Sequence, residues 1–196
     1  RRAASIDRVT AGRFVLGLAR GDRPAETGLF GAGPAADAFR TISRMNGEVF
    51  EGRFPTLLPL PAHQTGLPLI AVGQFGLTVP ELRNLCQGLF LATDANVHRR
   101  ARHIRTEWPD ALLLSVIRLK LDPDPDTPVI SEAGNAIRCG INSLIAHLQS
   151  LSEAGIDHIA LNLRLERRPV HEIFAELAEH SIRHYQMVAS CGARPA

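Results

Sequence analysis

The stretch Gly73-Gln-Phe-Gly-Leu-Thr78 contains the residue types that hold an anion. It follows an apolar run and precedes a short predicted helix. Glycines let backbone amides approach an anion, the amino terminus of a helix attracts negative charge, and the Thr78 hydroxyl can donate a hydrogen bond. Gly73, Gly76 and Thr78 are therefore candidate phosphate-binding residues. A plain strand-to-helix turn in which Thr78 only caps the helix explains the same residues, and the sequence leaves both interpretations open.

Two further pairs of polar residues follow predicted strands. Asp22 and Arg23 come after the apolar segment that ends near Leu18, where they could orient a cofactor, bind a polar substrate group or form a local ion pair. Asn162 and Arg164 lie at the end of the last predicted strand, where an amide and a guanidinium can bind ring carbonyls or phosphate. A strand end that simply faces solvent is the alternative for the second pair.

The sequence does not identify a catalytic nucleophile, a catalytic base or a metal site. We expect His158 to lie in the core or to be hydrogen-bonded, and no histidine combines with a serine or cysteine in a defensible catalytic order. The three cysteines are far apart and form no CxxC pair, which predicts reduced thiols, two of them packed, and no metal: Cys86, Cys139 and Cys191.

The elements that must position these residues alternate along the chain. Helices are predicted over 35–45, 95–107, 143–154 and 169–183. Three of them have one apolar face. The residues expected on these faces are Val97, Ala101, Ile104 and Trp108 in the second helix, Leu144, Ile145, Leu148 and Leu151 in the third, and Ile173, Phe174, Leu177 and Ile182 in the last. Apolar strands are predicted near 13–18, 67–73, 88–92, 111–120 and 156–162, and we expect each to neighbour the next. Apolar strands that alternate with amphipathic helices indicate a parallel α/β sheet, either open and doubly wound or closed into a barrel.

The segment Gly31-Ala-Gly33-Pro-Ala-Ala36 has the spacing of a dinucleotide-binding fingerprint. That fingerprint must follow a strand directly, whereas the nearest predicted strand ends near Leu18. The proline also removes a backbone donor from the turn. We therefore interpret this segment as a loop that leads into a helix.

Composition limits the class of protein further. A chain of 196 residues with 45% hydrophobic content can bury one core, so we expect a single domain over 1–196. The net charge of +2 and the arginines without interleaved aromatic residues do not indicate a nucleic-acid partner. Without an apolar run of about 20 residues or a recognisable signal peptide, we expect a cytoplasmic protein with no membrane partner.

Three collinear regions resemble the bacterial luciferase-like, flavin-dependent oxidoreductases. Ala3-Ala-Ser-Ile-Asp7, Gly12-Arg-Phe-Val-Leu-Gly17 and Gly21-Asp-Arg-Pro24 together are similar to a helix, the fourth strand and the loop after it in that family. Pro68-Leu-Ile-Ala-Val-Gly73 with Gly88 resembles the next strand, phosphate turn and strand. The segment from Gly155 to Arg164, followed by Arg168-Pro169, resembles the eighth strand and last helix. The resemblance covers most of the chain.

This resemblance implies a (β/α)8 TIM-type barrel, incomplete in this chain, which carries about the last five βα units. It implies an FMN-dependent monooxygenase or related oxidoreductase acting on a small organic substrate, with the deazaflavin F420 as the less expected cofactor. The implied cofactor-binding residues are Gly73, Gly76, Thr78, Asn162 and Arg164, and the implied substrate-binding residues are Asp22 and Arg23. A non-catalytic flavin- or ligand-binding shortened member is the alternative.

Five strands cannot close such a barrel, which typically has about 250 residues. The inner faces of the strands near 13–18 and 156–162 would then expose more apolar area than monomers usually tolerate. We therefore expect a homo-oligomer, or the rest of a longer protein, to cover those faces.

Overall fold

The computed structural model describes residues 2–19, 35–50, 67–132 and 136–182. The helices in these ranges are Arg2–Val9 (α1), Ala35–Phe50 (α2), Val79–Arg83 (α3), Val97–Glu107 (α4), Ile141–Glu153 (α5) and Val170–Glu176 (α6), and α6 continues as a π-helix over Leu177–Ile182. The strands are Leu16–Ala19 (β1), Leu69–Val72 (β2), Gly88–Ala92 (β3), Leu112–Leu121 (β4), Ile130–Glu132 (β5), Ala136–Cys139 (β6) and His158–Asn162 (β7). All five predicted strands are confirmed, with small shifts at their ends.

Residues of the chain group into two compact units. The first comprises 1–92 and 100–114, and the second comprises 93–99 and 115–196. Helix α4 and strand β4 therefore each contribute residues to both units. The expectation of one domain over 1–196 stays a prediction.

The sheet of the first unit contains the strands that precede and follow the candidate phosphate turn. β1 pairs in parallel with β2, with Leu16 opposite Leu69, and β2 pairs in parallel with β3, with Ile70 opposite Gly88. β4 neighbours β3. Side chains of β2 and β3 are mostly buried, because both strands are apolar along their whole length.

In the second unit, β4 pairs in parallel with β6, β5 pairs antiparallel with β6, and β7 pairs with β4. The β5–β6 hairpin was not predicted. β5 has only three residues, Ile-Ser-Glu, and all three are exposed, so it has neither the length nor the apolar pattern that identifies a strand in sequence.

Strands β1 and β7 contain no buried residue, in contrast to β2, β3, β4 and β6. In β7 the face that carries His158, Ala160 and Asn162 is exposed, and the other face is half-buried. The expectation that His158 lies in the core is therefore wrong. Side chains alternate between the two faces of a strand, and His158 falls on the exposed face.

The helices confirm most of the predicted inward faces. Leu144, Leu148 and Leu151 of α5 are buried and Ile145 is half-buried. Ile173 of α6 and Leu177 are buried, and the Ile182 side chain lies outside the described part of the structure. Phe174 is 58% exposed, so its predicted inward position is wrong. Ile173 and Leu177 are four residues apart and share a face, whereas Phe174 is turned about 100° away from Ile173.

The neighbour relations β1–β2–β3–β4–β7 agree with the predicted order of adjacent strands. The result is a mixed α/β fold that is consistent with part of a TIM-type barrel. A complete set of eight βα units is not present in the described ranges. No helix in the described part of the chain is long and apolar enough to cross a membrane.

Candidate functional site

The turn between β2 and α3 has three residues in the left-handed backbone region. Gly73 has φ 89°, Phe75 φ 54° and Gly76 φ 77°. A Cβ built on Gly73 or Gly76 would have no atom of another described residue within 4 Å, chain neighbours aside, so the described part of the chain leaves the space beside both glycines open. Because this turn follows the carboxyl end of β2, it lies where ligands bind in parallel α/β sheets.

Backbone donors of this turn are available to a ligand. The Gly73 amide donates to the Phe90 carbonyl at 3.3 Å and the Leu77 amide donates to the Gln74 carbonyl at 2.8 Å. Among the described residues, the amides of Gln74, Phe75 and Gly76 have no hydrogen-bond acceptor. Successive N–H groups in a turn form a concavity that suits an anion. This turn is therefore a candidate site for a phosphate group.

Phe75 anchors the turn to helix α2. Its ring lies 4.7 Å from the Phe39 ring, measured between centroids, and Phe39 is 1% exposed. The left-handed backbone of a non-glycine residue costs about 1–2 kcal/mol, and the aromatic contact offsets part of that cost. Sequence reasoning did not identify this anchor, because positive φ at a phenylalanine leaves no signature in the sequence.

Thr78 forms the amino-terminal cap of α3 together with Glu81. The Thr78 amide and hydroxyl each lie 2.8 Å from Glu81 Oε2, and the Glu81 amide donates to Thr78 Oγ1 at 3.4 Å. These contacts form a capping box, whose T-x-x-E signature is present in Thr78-Val-Pro-Glu81. The capping interpretation therefore describes the observed contacts of Thr78, and its binding to phosphate stays a prediction.

Arg40 connects the cap to α2. Its guanidinium lies 2.7 Å from Glu81 Oε1 and 3.1 Å from Asp37 Oδ1. The Thr78 amide and hydroxyl, followed by Arg40, lower the pKa of Glu81. The carboxylate therefore stays ionised beside Thr78, which favours binding of an anion at the Gln74–Gly76 amides rather than at Thr78.

The second predicted pair, Asn162 and Arg164, lies at the end of β7 in the second unit. Asn162 Oδ1 accepts a hydrogen bond from the Arg164 amide at 3.0 Å, which shapes a turn, and both residues are exposed. In the described residues the Arg164 guanidinium has no hydrogen-bond or ion-pair partner. It is therefore available to a phosphate or carboxylate.

Glu166 follows this turn and was missed by sequence reasoning. Its Oε2 accepts from the Leu121 amide at 2.8 Å, and its Oε1 accepts from the Arg167 amide at 2.9 Å and the Arg168 amide at 3.3 Å. Burial alone would raise the pKa of Glu166, but the three amides and Arg168 outweigh burial and lower it. No local pattern could reveal this role, because Leu121 is 45 residues away.

The structure thus brings Gly73, Gly76 and Thr78 into one turn, and Asn162 and Arg164 into another. Each turn belongs to a different unit, and their contribution to one site stays a prediction. Asp22 and Arg23 lie outside the described residues.

The described thiols do not take part in either turn. Cys86 and Cys139 are free and buried, in agreement with the expected packed thiols, and Cys191 lies outside the described residues. Burial, followed by Asp122, raises the pKa of Cys139 to about 11. In the described ranges, no group of three histidine, cysteine or carboxylate side chains could hold a metal.

Comparison with known proteins identifies solved structures with a similar fold but no related sequence family. No protein-family model and no curated protein sequence matches the chain. The coenzyme F420 dependent tetrahydromethanopterin reductase from Methanopyrus kandleri is similar in structure, with a TM-score of 0.64 at 11% identity over 93% of this chain and 77% of that one. An F420-dependent secondary alcohol dehydrogenase, solved with an F420-acetone adduct, has a TM-score of 0.56 at 14% identity, over 81% of this chain and 66% of that one. The chain therefore shares the fold of these two F420-dependent enzymes, and its membership of the predicted family stays a prediction.

Proposed function

We propose that this chain is the cofactor-binding part of an oxidoreductase that uses the deazaflavin F420 and acts on a small organic substrate. The observation that carries the proposal is the similarity of fold to two F420-dependent enzymes, which extends over 93% and 81% of the chain. Both neighbours are named for F420, which favours F420 over the FMN implied by the sequence. An FMN-dependent monooxygenase is the alternative. It differs from the proposed enzyme in binding FMN in place of F420.

We place the cofactor phosphate at the amides of Gln74, Phe75 and Gly76. These donors lack acceptors in the described residues, and the space beside Gly73 and Gly76 is open. In this assignment Thr78 has an indirect role, since its hydroxyl and amide hold Glu81 and thereby fix the start of α3. The Phe75 ring holds the turn against α2, so the donors are positioned before the ligand arrives.

Within the second unit, we propose Asn162 and Arg164 as cofactor-binding residues in their own right, with Arg164 as the partner of a phosphate or carboxylate. Asp22 and Arg23 are assigned to the substrate because they follow β1, as the candidate turns follow β2 and β7. A deazaflavin, when bound, carries the redox chemistry itself. The residues of the chain need only bind the cofactor, orient it and exclude water.

The proposal includes association through β1 or β7. The described residues of these two strands are at most half-buried, although both strands contain leucine. A strand edge with apolar side chains favours pairing with another chain. We assign a second copy of this chain as the partner. Sedimentation should show a dimer or larger assembly, and a stable, folded monomer would contradict this assignment.

Titration of the purified protein with F420 and with FMN, followed by fluorescence, tests the cofactor. The informative variant is Gly76→Ala, and the matched control is Gly12→Ala, because Gly12 has φ 78° and Gly76 has φ 77°. Both substitutions place an L residue in the same left-handed conformation, but only Gly76 lies beside the proposed phosphate. We expect Gly76→Ala to weaken F420 binding roughly tenfold, the equivalent of about 1.4 kcal/mol, and Gly12→Ala to leave affinity unchanged. Equal affinities for both variants and the parent would remove the turn from the site.

A further inference from the structure

Glu166 is a half-buried residue on the loop between β7 and α6, and its carboxylate has little contact with solvent. Its side chain is only 6% exposed, although glutamate is almost never fully buried unless it is paired. Its three hydrogen-bond donors are backbone amides from two places in the second unit: Leu121 at the end of β4, and Arg167 and Arg168 in the loop itself. The carboxylate therefore ties the loop to the end of β4.

A glutamine could not make the same contacts. An ionised carboxylate accepts hydrogen bonds at both oxygens, whereas a carboxamide has one accepting oxygen and one donating nitrogen. Oε1 and Oε2 both face amide donors here, so the nitrogen of a glutamine would meet at least one N–H group. Loss of one acceptor leaves a backbone donor without its partner, and hydrogen bonds to charged groups are stronger than neutral ones.

The loop that Glu166 holds is the one that carries Asn162 and Arg164. The Glu166 amide donates to the Leu163 carbonyl at 3.0 Å, and Asn162 Oδ1 accepts from the Arg164 amide at 3.0 Å. The segment 162–166 is thus fixed by β7 at one end and by the Glu166 carboxylate at the other. Arg168, 3.9 Å from Glu166, also pairs with Glu176 of α6 at 2.9 Å, which connects the loop to that helix.

We propose that Glu166 is a positioning residue, which holds Asn162 and Arg164 in the geometry that binds the cofactor. This inference rests on the proposed function, since it requires that the turn after β7 contacts F420 or FMN. Glu166 itself does not touch the cofactor. Its carboxylate acts through the backbone of the turn.

Three variants test the proposal: Glu166→Gln, Glu166→Asp and the control Glu153→Gln, which changes an exposed glutamate of α5. Hydrogen exchange should become faster at the amides of Leu121, Arg167 and Arg168 in Glu166→Gln and should stay unchanged in the control. The dissociation constant of the cofactor should rise about tenfold in Glu166→Gln. Glu166→Asp, which keeps the charge, should recover part of the affinity. In a turnover assay of Glu166→Gln, KM for the cofactor should rise, whereas kcat at saturating cofactor should equal that of the parent.

Faster exchange at these amides with parental cofactor affinity would overturn the positioning role and leave the proposed function intact. Unchanged exchange in Glu166→Gln would overturn the anchoring contact itself. The parent protein gives a test that does not depend on the folding of any variant. Cofactor binding should slow exchange in the 162–168 segment, and no slowing would remove the loop from the site. A parent that binds neither F420 nor FMN would refute the proposed function, and the positioning role with it.

Discussion

Replacement of Gly88 by alanine tests the neighbour relation of β3 and β4. A Cβ at Gly88 would lie 1.9 Å from the Leu112 carbonyl oxygen, 2.7 Å from its carbonyl carbon and 2.8 Å from its Cβ. Two of these atoms are backbone, and the Leu112 amide is itself bound to the Gln87 carbonyl at 2.9 Å. The strands must therefore move apart to accept a single methyl group.

Overpacking of a well-packed core costs about 1–3 kcal/mol and sometimes more, and each weakened hydrogen bond between the strands adds about 1 kcal/mol. We expect Gly88→Ala to lower the free energy of unfolding by about 3 kcal/mol or more, a large part of the 5–15 kcal/mol of a typical domain. Gly17→Ala is the matched control, because among the described residues a Cβ there would meet only Val72 Cγ2, at 3.7 Å. Its effect should stay within about 1 kcal/mol.

Urea unfolding followed by circular dichroism measures both variants. A Gly88→Ala protein as stable as Gly17→Ala would show that Gly88 does not face Leu112. The strand order on which the barrel comparison rests would then be wrong.

Three further predictions concern the cap, the thiols and the buried carboxylate. Thr78→Ala should lower the free energy of unfolding by about 1 kcal/mol and Thr78→Ser should restore it, as measured by urea unfolding; no effect of the alanine would contradict the capping box. Cys139, fully buried and with its pKa raised to about 11, should resist iodoacetamide at pH 8 until the protein unfolds, and peptide mass spectrometry showing rapid native labelling would refute this. The pKa of Glu166 is lowered from its ordinary 4.5, so its contribution to stability is present above that value and is lost as pH falls through the folded pKa. Acid unfolding of Glu166→Gln should therefore depend less on pH than that of the parent, and identical profiles would contradict this.

The strands could be predicted from the sequence because short apolar runs that alternate with amphipathic helices have few alternative structures. β3 was predicted with its observed bounds, Gly88–Ala92. Helix α4 was expected from the spacing of Val97, Ala101 and Ile104, and all three are buried. Phe174 shows the limit of such patterns, since one residue beside a buried face can point to solvent.

The candidate site was less predictable because its geometry depends on contacts between distant residues. Gly73 and Gly76 were identified from residue type, and their positive φ values agree with the backbone freedom that an anion site requires. The Phe75–Phe39 contact joins residues 36 positions apart, and the Glu166–Leu121 contact joins residues 45 apart. The hairpin β5–β6 was missed because its exposed first strand carries no apolar signal.

Equilibrium titration of the parent protein with F420 and with FMN tests most directly whether the chain binds F420. Fluorescence of each cofactor is followed as protein is added, and the stoichiometry is obtained at cofactor concentrations well above the dissociation constant. We predict saturable binding of one F420 per chain and weaker binding of FMN. Tighter binding of FMN would support the FMN-dependent alternative, and saturable binding of neither cofactor would contradict the account.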